Sequence, residues 1–325
     1  MSRQQQHEPG RAAVVGYGNV GRLFGGLLAG AGWHITAVDP HPPAEPHAPV
    51  EHGAPRGPDI VRADICAPPD ELRQILAGVD MVIVSVPERA ALAAVDVLDA
   101  CVGAEATVVE TLSHKHRFRQ AAAERLAPRP LVSLNPLFHP SLGWAGNTVT
   151  ASVDRGGPAA ARLLDLIGGT GARVHTLDPD DHDRYVTSVQ AVTHAAVLGF
   201  ARALPRLGLP PTDVIACAPP PTRALLAMAA RVLTADAETY WDIQSSGEPG
   251  DTARQALLAS IEDLDHQVGT GDDADFREEF ARLRDWFGDD LDGFADDAAH
   301  VLGALVSRRA PTHQPPTHAP TRGAT

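Results

Sequence analysis

Cysteine is scarce in this sequence of 325 residues. Cys66, Cys101 and Cys217 stand far apart and form no metal-ligand spacing. They read as small buried hydrophobes of a reducing compartment. Positive charge is also short. Against 41 Asp and Glu there are 27 Lys and Arg, a net charge of −14, which argues against a nucleic-acid or anionic-membrane partner. No apolar run is long enough to span a bilayer, and the N-terminal MSRQQQHEPGR lacks the apolar core of a signal peptide. The expectation is a cytoplasmic protein that takes a small molecule and uses no metal.

The rest of the composition, 44% hydrophobic and 21% charged, suits a folded chain long enough for two domains. From Ala12 to about Val153 short apolar runs alternate with helical patterns. The runs AAVVG, HITAVD, DIVRAD, MVIVSVP, ATVVET and PLVSLN predict strands, most of them continuous and β-branched as in a parallel sheet buried on both faces. Helical patterns include 19–31, 70–78, 88–101 and 117–126, which gives the βαβ rhythm of a doubly wound α/β sheet. Residues 41–57, rich in Pro and His, read as a surface loop. After about residue 178 strand signals stop, and helices are predicted over 180–207, 221–235, 250–268 and 275–288. The expected organisation is a short flexible N-terminus (1–10), a Rossmann-type dinucleotide-binding domain (11–178), an all-helical domain (179–306) and a disordered tail (307–325). Several long apolar helices with no sheet to cover them suggest that the helical part pairs two chains.

The strongest local motif is VVGYGNVGRLFGG. Gly16, Gly18 and Gly21, with Asn19 and Val20 between them, form G-x-G-x-x-G after an apolar strand and at the start of a helix. There the first glycine permits a tight turn, the second a close approach of pyrophosphate, and the third close packing of helix on strand. The next strand ends in Asp39, 18 residues beyond Gly21. A carboxylate at that place bonds the ribose hydroxyls and repels a 2′-phosphate, so NAD is expected rather than NADP. Ser85 and Pro87 end another strand and are expected beside the same cofactor. Ser113, His114, Lys115 and His116 follow the next strand, where a hydroxyl and an ammonium could meet a carboxylated ligand; a solvated surface lysine explains Lys115 equally well.

In the helical half, Gln190 and His194 lie four apart on one helix face, preceded by DHD at 181–183. Arg223 and Arg231 lie eight apart, about 80° around a helix. Arg231 has apolar sequence neighbours, and an arginine so placed calls for an anionic partner, either a ligand or an internal carboxylate such as Glu238.

Taken in order, the glycine fingerprint, TLSHKH, LNPLFHPSLG, VTSVQAVTH and LAMAARVLTADAETYWDI resemble the prephenate dehydrogenase family over roughly residues 10–290. The resemblance implies NAD(P)-dependent oxidative decarboxylation of a cyclohexadienyl substrate and a homodimer joined through the helical domain. It implies that Ser113 and Lys115 match the family's serine and lysine and that His194 matches its helical histidine. Arg231 then matches the arginine that holds a substrate carboxylate, Arg223 an arginine found in part of the family, and Gln190 lies in the same substrate-binding helix. One position departs. Where the family has a catalytic histidine in a loop resembling His-Pro-Met-Phe-Gly-Pro, this sequence has Asn135-Pro136-Leu137-Phe138-His139-Pro140.

Asparagine accepts a hydrogen bond but removes no proton. A hydroxyl on the reacting ring carbon needs a base as hydride leaves, worth about 10²–10⁴-fold. An amine there needs none, because its lone pair stabilises the developing positive charge. Asn135 therefore points to 4-amino-4-deoxyprephenate and resembles the aminodeoxyprephenate dehydrogenases of antibiotic pathways, which make 4-aminophenylpyruvate. Other readings stay open: a prephenate dehydrogenase with His139 or His194 as base, an inactive NAD-binding regulatory homologue, and a β-hydroxyacid dehydrogenase or imine reductase of similar layout.

Overall fold

The computed structural model describes residues 10–42, 57–271 and 273–307. The short N-terminus, most of the loop expected over 41–57 and nearly all of the tail expected from 307 lie outside them. Among the described residues the chain forms two compact units that divide between Val189 and Gln190, with Ser246–Pro249 counted with the first. The sheet itself ends near the boundary expected at 178, while the first unit runs on through the next short helical turns.

The first unit is built on eight strands. These are β1 (Arg11–Val15), β2 (His34–Val38), β3 (Asp59–Val61), β4 (Met81–Val84), β5 (Thr107–Glu110), β6 (Leu131–Pro136), β7 (Thr148–Arg155) and β8 (Arg173–Thr176). They lie in the order β3-β2-β1-β4-β5-β6-β7-β8, every pair parallel except β6 with β7. The first six occupy the six runs the sequence predicts. In β4, Val82 and Val84 pack into one apolar cluster while Met81 and Ile83 pack into another on the opposite face. Successive side chains of a strand point to opposite faces, so burial on both turns the sequence into a continuous apolar run. β8, RVHT, is half-buried to exposed at the sheet's end and carries no such run.

Five helices cover the faces: α1 (Asn19–Gly30), α2 (Asp70–Ala77), α3 (Glu88–Cys101), α4 (His116–Arg125) and α5 (Pro158–Gly169). Phe24 and Leu28 of α1 and Leu163 and Ile167 of α5 bury against one face. Leu72 and Leu76 of α2, Leu98 of α3 and Phe118 of α4 bury against the other. The C-terminal ends of β1, β4, β5 and β6 thus open on one edge. The strand order reverses between β1 and β4, the place where doubly wound sheets bind ligands.

The cysteines are not the buried hydrophobes expected. Cys66 and Cys217 are exposed, Cys101 is half-buried, and all three are free thiols. Cys66 lies in a turn, and Cys217 caps the C-terminus of the short helix Pro211–Ala216.

The helix expected over 180–207 is broken. Pro179–His182 form one short turn, α6; Asp183–Thr187 form a turn of π-helix; and α7 spans Ser188–Arg206. π-turns inserted in helices often mark functional sites. The second unit continues with α8 (Pro211–Ala216), α9 (Pro220–Leu233), α10 (Ala237–Gln244), α11 (Glu248–Thr270), α12 (Asp273–Phe287) and α13 (Leu291–Ser307). α8, α10 and α13 are not among the helices the sequence predicts. Among the described residues no helix is long and apolar enough to cross a membrane.

Candidate active site

The glycine loop joins β1 to α1. Gly16 has φ +85°, and a Cβ there would lie 2.3 Å from the Ser85 carbonyl oxygen. At Gly21 a Cβ would lie 1.9 Å from the Gly16 carbonyl oxygen, so helix and strand close only on glycine. At Gly18, by contrast, nothing lies within 4 Å of a built Cβ. Gly16 and Gly21 are thus required by the fold, and Gly18 leaves open space over the helix N-terminus. That is the division of labour a pyrophosphate site needs. Asn19 and Val20 open α1, and the Asn19 Oδ1 accepts from Arg22 Nη2 at 3.0 Å. Asp39 follows β2, and its carboxylate accepts from the backbone N–H of Tyr17 and of His41, each at 2.8 Å. It is therefore fixed beside the loop. These residues fit an adenine dinucleotide.

At the end of β4, Ser85 Oγ lies 3.0 Å from Thr111 Oγ1, which donates to the Val84 carbonyl at 3.2 Å. The Ser85 hydroxyl is then the donor to Thr111. Thr111, which directly follows the end of β5, carries no signal in the sequence that singles it out. Pro87 is exposed and stands at the N-cap of α3.

Past β5 the structure corrects one expectation. Lys115, the sole lysine of the sequence, is not at a ligand surface. Its side chain is fully buried and its ammonium lies 3.0 Å from Glu110 Oε1. It also donates to the carbonyls of Leu112 at 2.6 Å and Leu134 at 2.8 Å. Three donors on a compact cation are thereby spent on protein acceptors. Burial pushes the Lys115 amine down and the Glu110 carboxyl up, each opposed by the other's charge. Lys115 ties β5 and β6 together beneath the site and is not a substrate-binding group. Ser113 is half-buried two residues before it.

Asn135 is the penultimate residue of β6, buried at 4% exposure. Its backbone carbonyl accepts from Thr150 Oγ1 of β7 at 3.3 Å. Its side-chain Nδ2 lies 3.4 Å from His182 Nε2, a long contact. On the other side of the ring, His182 Nδ1 lies 2.9 Å from Asp183 Oδ1. Asp183 also accepts from the backbone N–H groups of Lys115 (2.8 and 3.0 Å) and His116 (2.8 Å), capping α4. Burial lowers the His182 imidazole below its ordinary range, although Asp183 pulls the other way. Burial alone would raise Asp183, but hydrogen bonds from His182 and those two backbone groups hold its carboxyl low. His114, also driven to titrate low by burial, has a buried Nε2 with no hydrogen-bond partner. His139, an alternative base, is exposed and its Nδ1 is engaged by the hydroxyl (2.8 Å) and backbone N–H (3.2 Å) of Ser141. It serves as an N-cap.

In the second unit, Gln190 and His194 share a face of α7. The His194 ring stacks edge-on against Tyr240 with centroids 4.9 Å apart. Burial lowers its titration, and the charge of Arg231 adds to this. Gln190 Oε1 and His194 Nδ1 are buried without hydrogen-bond partners. Arg231 itself is exposed, and among the described residues no carboxylate pairs with it. Arg223 differs: it donates to the Leu305 carbonyl and so fastens α9 to α13. The last turn of a helix leaves carbonyls in need of donors, and Arg223 supplies one.

The chain is similar to known proteins. It is 37% identical over 281 residues to 4-amino-4-deoxyprephenate dehydrogenase of Streptomyces pristinaespiralis, covering 86% of this chain and 92% of that one. The chain belongs to the prephenate dehydrogenase family. It is 25% identical over 292 residues to the T-protein of Haemophilus influenzae, covering 89% of this chain and 70% of the relative. Among solved structures, prephenate dehydrogenase from Aquifex aeolicus, in complex with hydroxyphenyl propionate and NAD+, aligns with a TM-score of 0.64 at 15% identity, covering 86% of this chain and 98% of the other. That likeness shows the shared fold. No protein-family model matches the sequence.

Proposed function

We propose that this member of the family catalyses NAD-dependent oxidative decarboxylation of 4-amino-4-deoxyprephenate to 4-aminophenylpyruvate. The observation that carries the reading is Asn135, an amide that takes no proton, buried at the strand end where the family resemblance puts a histidine. The name of the Streptomyces relative, with 37% identity across most of both chains, supports it.

Gly16, Gly18, Gly21 and Asp39, with Asn19, Val20, Ser85 and Pro87 beside them, would hold NAD. Bound there, NAD supplies the hydride acceptor. Asp39 would bond the adenosine ribose hydroxyls and disfavour a 2′-phosphate. Asn135 accepts an N–H of the ring amine and orients it. It need not remove a proton, since the amine lone pair meets the charge that develops on the ring. Ser113 offers a second hydroxyl contact. In the second unit, Arg231 is the carboxylate-binding group, with His194 near it and Gln190 on the same face of α7 as His194. Following NADH formation with aminodeoxyprephenate and prephenate side by side tests the reading; a protein that oxidises prephenate alone would overturn it.

The homodimer belongs to the same proposal. In α11, Leu258, Ile261, Leu264 and Val268 are exposed at spacings of three and four. Trp286 of α12 is 79% exposed. Apolar stripes of this kind are features of interfaces rather than of isolated surfaces. Light scattering at micromolar concentration should give twice the chain mass; a monomer would refute the pairing.

A further inference from the structure

We propose that His182 is a positioning residue that fixes which end of the Asn135 amide faces the ligand. It holds the amide Nδ2 and leaves Oδ1 as the atom presented. The inference rests on the reading of Asn135 as the group that meets the ring amine.

The Asp183 carboxylate is ionised and can only accept, so the contact of 2.9 Å to His182 requires the proton on Nδ1. His182 is 1% exposed, and a neutral ring with Nδ1–H carries a lone pair on Nε2. The amide 3.4 Å away must then turn its NH₂ group to that lone pair. The reverse orientation would set the Oδ1 lone pairs against Nε2. Among the described residues no other hydrogen bond holds the Asn135 side chain, so the histidine decides. The orientation matters for selection: an acceptor suits a ring substituent that carries N–H, while a presented NH₂ would oppose it.

Protonating His182 would invert the preference, because Nε2–H would call for Oδ1. The charged and titratable groups around it are Asp183, the following residue, Lys115 and His114 from the segment after β5, and Glu110 at the end of β5 as the partner of Lys115. Lys115 opposes protonation, and its charge is matched by Glu110. The site is therefore tuned to keep His182 neutral, with burial as the main cause.

Two replacements separate positioning from mere packing. Glutamine can donate to Asp183 and accept from Asn135 as the neutral ring does; leucine can do neither. His182→Leu should lower kcat on aminodeoxyprephenate about three- to tenfold, the worth of one hydrogen bond, with little change in NAD affinity. His182→Gln should recover most of that loss and should remove the acid limb that His182 titration gives to kcat. A second readout needs no substrate. In protein carrying ¹⁵N-asparagine, the Asn135 side-chain signal (identified by its absence in Asn135→Asp) should be displaced in His182→Leu and restored in His182→Gln. Should the enzyme fail to oxidise the amine, the functional reading falls and this signal still decides the role of His182. An Asn135 signal indifferent to both replacements, or a wild-type kcat and pH profile in His182→Leu, would overturn the proposal.

Discussion

Lys115 Nζ lies 3.0 Å from Glu110 Oε1, and neither side chain is exposed. The only lysine in the sequence is thus a buried strut between β5 and β6. Removing one partner of a buried ion pair strands the other charge and costs about 3–5 kcal/mol. Lys115→Met should therefore destabilise strongly, while Lys115→Met with Glu110→Leu should regain most of the loss. Chemical denaturation of the three proteins checks this. Native protein treated with an amine-reactive reagent should be modified at its α-amino group and not at Lys115 until it unfolds.

The glycine loop makes separable predictions. Gly18→Ala should fold with nearly unchanged stability, since a Cβ there meets nothing within 4 Å, yet should weaken NAD by obstructing pyrophosphate. Gly21→Ala should lose stability itself, its Cβ falling 1.9 Å from the Gly16 carbonyl oxygen. Thermal unfolding and NAD titration of both variants test the assignment. Asp39→Ala should relax the preference for NAD over NADP, and equal use of both by the unmodified protein would contradict the role of Asp39.

How much of this was legible in the sequence follows from burial. Strands β1, β4, β5 and β6 are buried on both faces and announce themselves as apolar runs; β8 at the edge does not. The glycine loop lies between β1 and α1, with Asp39 bonded to it, as local spacing dictates. The place of Lys115 was not legible. Position after a strand cannot distinguish a solvated ammonium from one folded back on Glu110. The pairing of Asn135 with His182 spans 47 residues and leaves no periodic trace; only the cluster DHD hinted that the segment was special. The π-turn that follows His182 is likewise hidden, since its residues fit a helical pattern.

Arg231 is the residue proposed to bind a substrate carboxylate. It is exposed and no internal carboxylate competes for it among the described residues. Losing a charge-assisted hydrogen bond of about 1.5–3 kcal/mol should raise KM about 10–100-fold in Arg231→Ala. Steady-state kinetics on a folded variant decides, and an unchanged KM would remove Arg231 from the site.

Stability should depend on pH through three histidines. His114, His182 and His194 all titrate below their ordinary value in the folded chain, chiefly because they are buried. As pH falls through about 6.5 the unfolded chain takes up protons first, so the folded state loses stability. The contribution is complete above that pH and declines toward the lowered folded values. Tm should therefore fall between about pH 7.5 and 5.5, and less steeply in His182→Gln. A Tm that rises with acidification over that range would contradict the sign.

Asn135→His restores a base at the end of β6. It should gain activity on prephenate, well short of the ~10⁴-fold limit for general base catalysis, because the imidazole would face His182 without a partner suited to orient it. It should not improve oxidation of the amine.

The most direct measurement is the ratio of kcat/KM for 4-amino-4-deoxyprephenate to that for prephenate in the unmodified protein with NAD. A pocket that holds an amide where a base would stand should favour the amine by about 10²-fold or more, the scale of the missing base. A ratio near one would mean that another group removes the hydroxyl proton and that Asn135 does not select the substrate.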